Sequence, residues 1–150
     1  MNRAPTLATD VMQETRSGGG FSSTVRNYVA LTKPGILSLL LFTTLCGMMV
    51  AAAGAPPLDI TLWTMLGGYL AAGGANALNC FIDRDIDGIM ARTSKRGTVT
   101  GAIPPAHALI FGLTLSVSAV LLLGLTVNWL AAALALAGNV YYVVVYTLML

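Results

Sequence analysis

The sequence predicts an all-α polytopic membrane protein with four transmembrane helices, and three observations carry that prediction. Of its residues, 56% are hydrophobic and only 9% are charged, with a mean hydropathy of +0.78; a soluble domain carries about 25% charged residues. Charge is also absent where a bilayer would sit. None occurs between Lys33 and Asp59, between Asp59 and Asp83, or anywhere after Arg96. The apolar stretches left between these charges approach the ~20 residues that span hydrocarbon, and they are too long and uniform for core strands.

Taken in order, residues 1–20 contain no apolar core of a cleavable signal, and Ser17-Gly18-Gly19-Gly20 reads as a tether. They are expected to form a flexible cytoplasmic tail. From Phe21, a Ser/Ser/Thr start followed by Val25, Tyr28, Val29 and Leu31 predicts a short interfacial helix. Lys33-Pro34-Gly35 then turns the chain into the bilayer. Spans are placed near 36–53, 60–81, 108–127 and 129–150, with 21–150 as one membrane domain and 82–106 as a loop. All eight basic residues fit one topology. Arg3, Arg16, Arg26 and Lys33 precede the first span, and Arg84, Arg92, Lys95 and Arg96 cluster after the second. The positive-inside rule therefore places the N-terminus and the 82–106 loop in the cytoplasm of a cell membrane. The net charge of +2 is too small and too dispersed for a nucleic-acid partner. Cys46 and Cys80, in apolar stretches without a CxxC partner, are expected to fill the core.

The segment that carries chemistry runs from Asn76 to Asp87. Asn79, Asp83 and Asp87 are spaced i, i+4, i+8. At 100° per residue they drift only about 40° around a helix, so one face presents an amide and two carboxylates. Asn76 lies near that face, whereas Asp85 sits about 200° away from Asp83. Two hard carboxylates suit Mg²⁺, which is commonly held by one or two carboxylates together with substrate phosphates. The one histidine, His107, is distant in sequence, which disfavours metals that prefer imidazole. Arg92, Lys95 and Arg96 follow in the same loop, and Lys33 enters the membrane from the same side. These cations suit a diphosphate leaving group. The alternative is a solvated helix end. Against it, the acids sit at a helix C-terminus and oppose the macrodipole by roughly 0.3–1 kcal/mol each.

Other features point to structure. Gly67, Gly68, Gly73 and Gly74, with Ala71, Ala72 and Ala75, make one side of the second span small; close helix packing is the first reading and a prenyl groove the second. Tyr141, Tyr142 and Tyr146 suit packing or interfacial roles. His107, after Pro104-Pro105, suits a helix start better than a haem ligand.

The strings LTKP (31–34), NCFIDRDID (79–87) and MART (90–93) resemble the haem O synthase branch of the UbiA-type intramembrane prenyltransferases. The pattern N-x-x-x-D-x-x-x-D is shared by the whole superfamily, whereas D-R-D-I-D-x-x-M-x-R-T is much more specific to the haem branch. LLFTT (40–44) and YVVVYT (142–147) add agreement. The resemblance implies transfer of a farnesyl group from farnesyl diphosphate to a vinyl group of haem b, which is a substrate here, to give haem O. Asn79, Asp83 and Asp87 would bind the diphosphate through Mg²⁺, and Lys33, Arg92 and Arg96 would contact it directly. It also implies a bundle of roughly nine helices with a second acidic motif, so this chain reads as an N-terminal half. Alone it is expected to be inactive, needing a missing C-terminal half or another copy. Gly35 and Gly97 depart from the Arg and Pro usual in the family. Rival readings are prenyl transfer to an aromatic or quinone acceptor, half of a cation or lipid transporter, and a non-catalytic membrane remnant.

Overall fold

The computed structural model describes residues 21–147 apart from 92 and 95, and their regular elements are all helices, with no strand among them. The tail expected over 1–20, Arg92 and Lys95 lie outside the described residues. The helices are α1 (Phe21–Thr32), α2 (Pro34–Ala51), α3 (Leu58–Ile82), the short α4 (Arg84–Asp87), α5 (Pro105–Thr126) and α6 (Trp129–Tyr141). A π-helical segment, Tyr142–Thr147, continues α6.

Prolines and caps explain most of the boundaries. Pro34 and Pro105 occupy first-turn positions in α2 and α5, where a missing N–H forfeits nothing and φ is already helical. Both helices therefore begin two to three residues before the apolar stretches read from hydropathy. The side chain of Asn128 caps α6 by accepting from the Ala131 N–H at 2.7 Å, as an N-cap amide oxygen does. Helix α2 ends in a Schellman turn: the Gly54 N–H bonds the Met49 carbonyl at 3.1 Å and the Ala53 N–H bonds that of Val50 at 3.2 Å. The left-handed residue there is Ala53 (φ 50°), where glycine is the usual occupant.

Helix α3 is the hub and packs most extensively on α5. The two backbones come close at Gly74 and Gly112. A Cβ at Gly74 would lie 2.5 Å from Ser116 Oγ and 2.9 Å from the Gly112 carbonyl oxygen. The small-residue face of α3 thus serves close helix packing. Asn139 ties in α6, its Nδ2 donating to the Ala71 carbonyl (3.0 Å) and to Ser116 Oγ (2.9 Å).

Among the described residues, α2 and α5 alone are both long and apolar enough to cross a membrane by length and composition. Helix α3 is longer, at 25 residues, but its Gly, Ala and Asn residues dilute its hydropathy; α6 has 13 residues. Of the four spans read from the sequence, two are thus matched by clear candidates among the described residues. Helix α2 buries only Leu37, and Ile36, Leu39, Phe42 and Val50 face outward. Cys46 shares that exposure, which corrects its reading as a core residue. It sits on a helix that touches the bundle through one narrow stripe.

The apolar core gathers where α1, the end of α3 and the start of α5 meet. Leu31, Ala77, Cys80, Ile103 and Ala108 are buried there, with Tyr28, Phe81 and Phe111 around them. Tyr28 packs edge-on against Phe111, ring centroids 5.1 Å apart, and its hydroxyl lies 3.4 Å from His107 Nδ1. The small cluster anchors α1 across the end of the bundle.

Candidate functional site

Of the predicted site residues, Lys33, Asn79, Asp83, Asp87 and Arg96 are carried at that end. The α-helix of α3 ends at Ile82, with Asp83 as a junction (φ −79°, ψ 0°), and resumes as α4. One unbroken helical face was expected over 79–87. The break is shallow, because hydrogen bonds four residues apart run through it. The Asp83 N–H bonds the Asn79 carbonyl at 2.9 Å, and the Asp87 N–H bonds that of Asp83 at 2.8 Å. The i, i+4, i+8 register therefore survives a local change of helix geometry. Asp85 lies exposed and pairs with Arg84 (3.5 Å), whose guanidinium stacks 5.3 Å from the centre of the Phe81 ring.

Lys33 reaches this face from the other side of a turn. It has a left-handed backbone (φ 54°, ψ 63°), a conformation that separates α1 from α2 ahead of a proline that disfavours the right-handed region. Its Nζ donates to Asn79 Oδ1 at 3.1 Å, and Asn79 Nδ2 donates to Asp83 Oδ2 at 2.5 Å. The Asn79 amide thus spaces an ammonium from a carboxylate, with its oxygen turned toward Lys33. Burial holds the Lys33 ammonium below the ordinary lysine value of 10.5; Arg96 pushes the same way, and Asp87 and Asp83 oppose it.

Asp87 is buried, and its carboxylate takes a charge-assisted hydrogen bond from Arg96 Nη1. Thr93 closes the turn by donating to the Asp87 carbonyl at 3.1 Å. The loop after α4 therefore folds back, so that a cation nine residues on covers the last acid of the motif. Thr98 is buried two residues further along, its hydroxyl without a hydrogen-bond partner.

The donor set suits a hard divalent cation. Among the described residues no three His, Cys, Asp or Glu side chains converge into a metal group, and the carboxylates that this end of the bundle offers are those of Asp83 and Asp87. One or two carboxylates are what Mg²⁺ takes from proteins when phosphate oxygens complete its shell. The same face holds Lys33 and Arg96, both hydrogen-bonded within the site and both able to turn to a phosphate oxygen.

Sequence reasoning did not find the polar contacts that brace this face. Tyr142 donates to Asn76 Oδ1 at 3.3 Å, Asn76 donates to the Thr32 carbonyl at 3.1 Å, and Thr32 lies 3.3 Å from the Tyr69 hydroxyl. The only available signal was polar residues inside apolar stretches, which in a membrane domain are usually paired across helices.

The chain matches the UbiA prenyltransferase family over residues 40–150. A protoheme IX farnesyltransferase of Streptomyces avermitilis is 57% identical over 130 residues, which cover 87% of this chain and 43% of that protein. That of Streptomyces coelicolor is 55% identical over 130 residues, 87% of this chain and 41% of its own. A third, from Roseiflexus sp., is 50% identical over 131 residues, 87% of this chain and 24% of its own. The chain therefore spans less than half the length of these curated relatives. No solved structure matches it.

Proposed function

The chain belongs to the UbiA prenyltransferase family, and we propose from that premise that it forms the diphosphate-binding wall of a haem-directed farnesyltransferase. The substrates would be farnesyl diphosphate and haem b, and the product haem O. One observation carries this reading: Lys33, the Asp83–Asp87 turn and Arg96, from three separate segments, lie together at one end of an apolar helical bundle. The relatives' printed name and the long 83–93 string favour haem over an aromatic acceptor.

In the reaction, the bond between the farnesyl C1 and the diphosphate oxygen breaks, and its electron pair leaves with the diphosphate. The allylic carbon then bonds the vinyl carbon of haem b, and water adds to the neighbouring carbon with release of a proton. Asp83 and Asp87 would hold Mg²⁺, with Asn79 aligned beside them; bound there, the metal supplies charge neutralisation on the leaving group. Lys33 and Arg96 contribute fixed positive charge to the same oxygens. Arg92 would join them from the same loop. The apolar bundle excludes water from the allylic carbon until the vinyl group has reacted.

We also place all four long helices across the cell membrane, with α1 at its surface and the site on the cytoplasmic side. The distribution of the eight basic residues supports that orientation. The test is the whole protein in lipid nanodiscs, given farnesyl diphosphate, Mg²⁺ and either haem b or an aromatic acceptor. Haem O as the product, lost in Asp83→Asn and Asp87→Asn, is the expected result. A prenylated aromatic would assign the acceptor to another branch of the family. Metal binding that is indifferent to diphosphate would favour ion transport instead.

A further inference from the structure

Asn76 lies on α3 three residues before Asn79, on nearly the same helical face, and is buried. Its Nδ2 donates at 3.1 Å to the carbonyl of Thr32, the last residue of α1. That carbonyl is one of the four that a helix end leaves without an intrahelical partner. Thr32 is itself buried, and its Oγ1 donates to the Val29 carbonyl at 2.8 Å. On the other side, Asn76 Oδ1 accepts from the Tyr142 hydroxyl at 3.3 Å.

The residue after Thr32 is Lys33. Its left-handed backbone is disfavoured for any residue with a Cβ, by roughly 1–2 kcal/mol, and such a conformation persists only where the surroundings impose it. Helix α3 grips consecutive residues: Asn76 holds the Thr32 carbonyl, and Asn79 receives the Lys33 ammonium. A one-residue change in the Thr32–Lys33 peptide would swing that ammonium off the acidic face.

We propose that Asn76, braced by Tyr142, is a positioning residue for Lys33: by fixing the Thr32 carbonyl it holds the left-handed turn that directs the ammonium onto the diphosphate site. The proposal rests on the diphosphate-binding reading given above. A purely structural Asn76 would tie α1 to α3 and affect stability alone. A positioning Asn76 acts on diphosphate binding only through Lys33.

The test is a double-mutant cycle on the full chain in nanodiscs, using calorimetric binding of inorganic pyrophosphate with Mg²⁺ alongside thermal unfolding. Lys33→Ala and Asn76→Leu are each expected to weaken binding by about tenfold, and the double variant to bind no more weakly than Lys33→Ala alone. Losses that multiply in the double variant would overturn the proposal. So would Asn76→Leu lowering the unfolding temperature while pyrophosphate binding stays put. If the wild-type chain binds no pyrophosphate, the diphosphate-site reading itself fails; if it binds and the losses multiply, only the role of Asn76 fails. Asn76→Ser, shorter and still polar, carries the same cycle if the leucine variant does not accumulate.

Discussion

Removing Arg96 should destabilise the protein far more than removing an ordinary loop arginine. Its guanidinium is bonded to Asp87, and the two side chains are 23% and 6% exposed. An exposed ion pair contributes about 0–1 kcal/mol, whereas truncating one member of a buried pair costs about 3–5 kcal/mol because a charge is left uncompensated. Arg96 keeps some contact with water, so Arg96→Met is expected to cost about 2–4 kcal/mol, between those limits. Asp87→Asn leaves a more mobile cation and should cost less. The double variant removes both charges and should return to within about 1 kcal/mol of wild type. The resulting coupling of about 2 kcal/mol corresponds to roughly a thirtyfold change in an equilibrium constant. Reversible unfolding in mixed detergent micelles, followed through Trp63 and Trp129, measures all three variants. Losses that simply add, or an Arg96→Met cost under about 0.5 kcal/mol, would refute the reasoning: the pair would then be no stronger than a solvated one.

Three further outcomes follow from the geometry. Gly74→Ala puts a methyl group 2.5 Å from Ser116 Oγ, so α3 and α5 must separate; a loss of about 1–3 kcal/mol is expected in the same unfolding assay. Ala53→Gly relieves the positive φ at the end of α2 and should raise stability by up to about 1 kcal/mol. Because Lys33 releases its proton below 10.5, pyrophosphate affinity should fall as pH rises through that lowered value, since the cation is lost. In Lys33→Arg that alkaline limb should vanish, as a guanidinium keeps its charge.

What could be read from the sequence was local. The register of Asn79, Asp83 and Asp87 is visible because a helix repeats every 3.6 residues, and it holds even across the junction at Asp83. The turn at Lys33-Pro34 is visible because proline restricts the residue before it. The Schellman turn of α2 shows the limit. Its left-handed position falls to Ala53 and not to the neighbouring Gly54, because the position is set by which carbonyls the helix end must satisfy. Cys46 shows another: an apolar stretch in sequence does not say which of its sides meets protein and which meets lipid.

By itself, then, the sequence determined the helical class, the apolar stretches, the distribution of charge and the acidic face, since each depends on neighbours a few residues apart. Only the tertiary structure decided that Lys33 meets Asn79 across 46 residues, that Tyr142 reaches Asn76 across 66, and that Arg96 folds back onto Asp87. Those contacts depend on how α3 packs against α1, α5 and α6. That packing is set by close approach at Gly74 and Gly112 and by polar groups that must find partners once away from water.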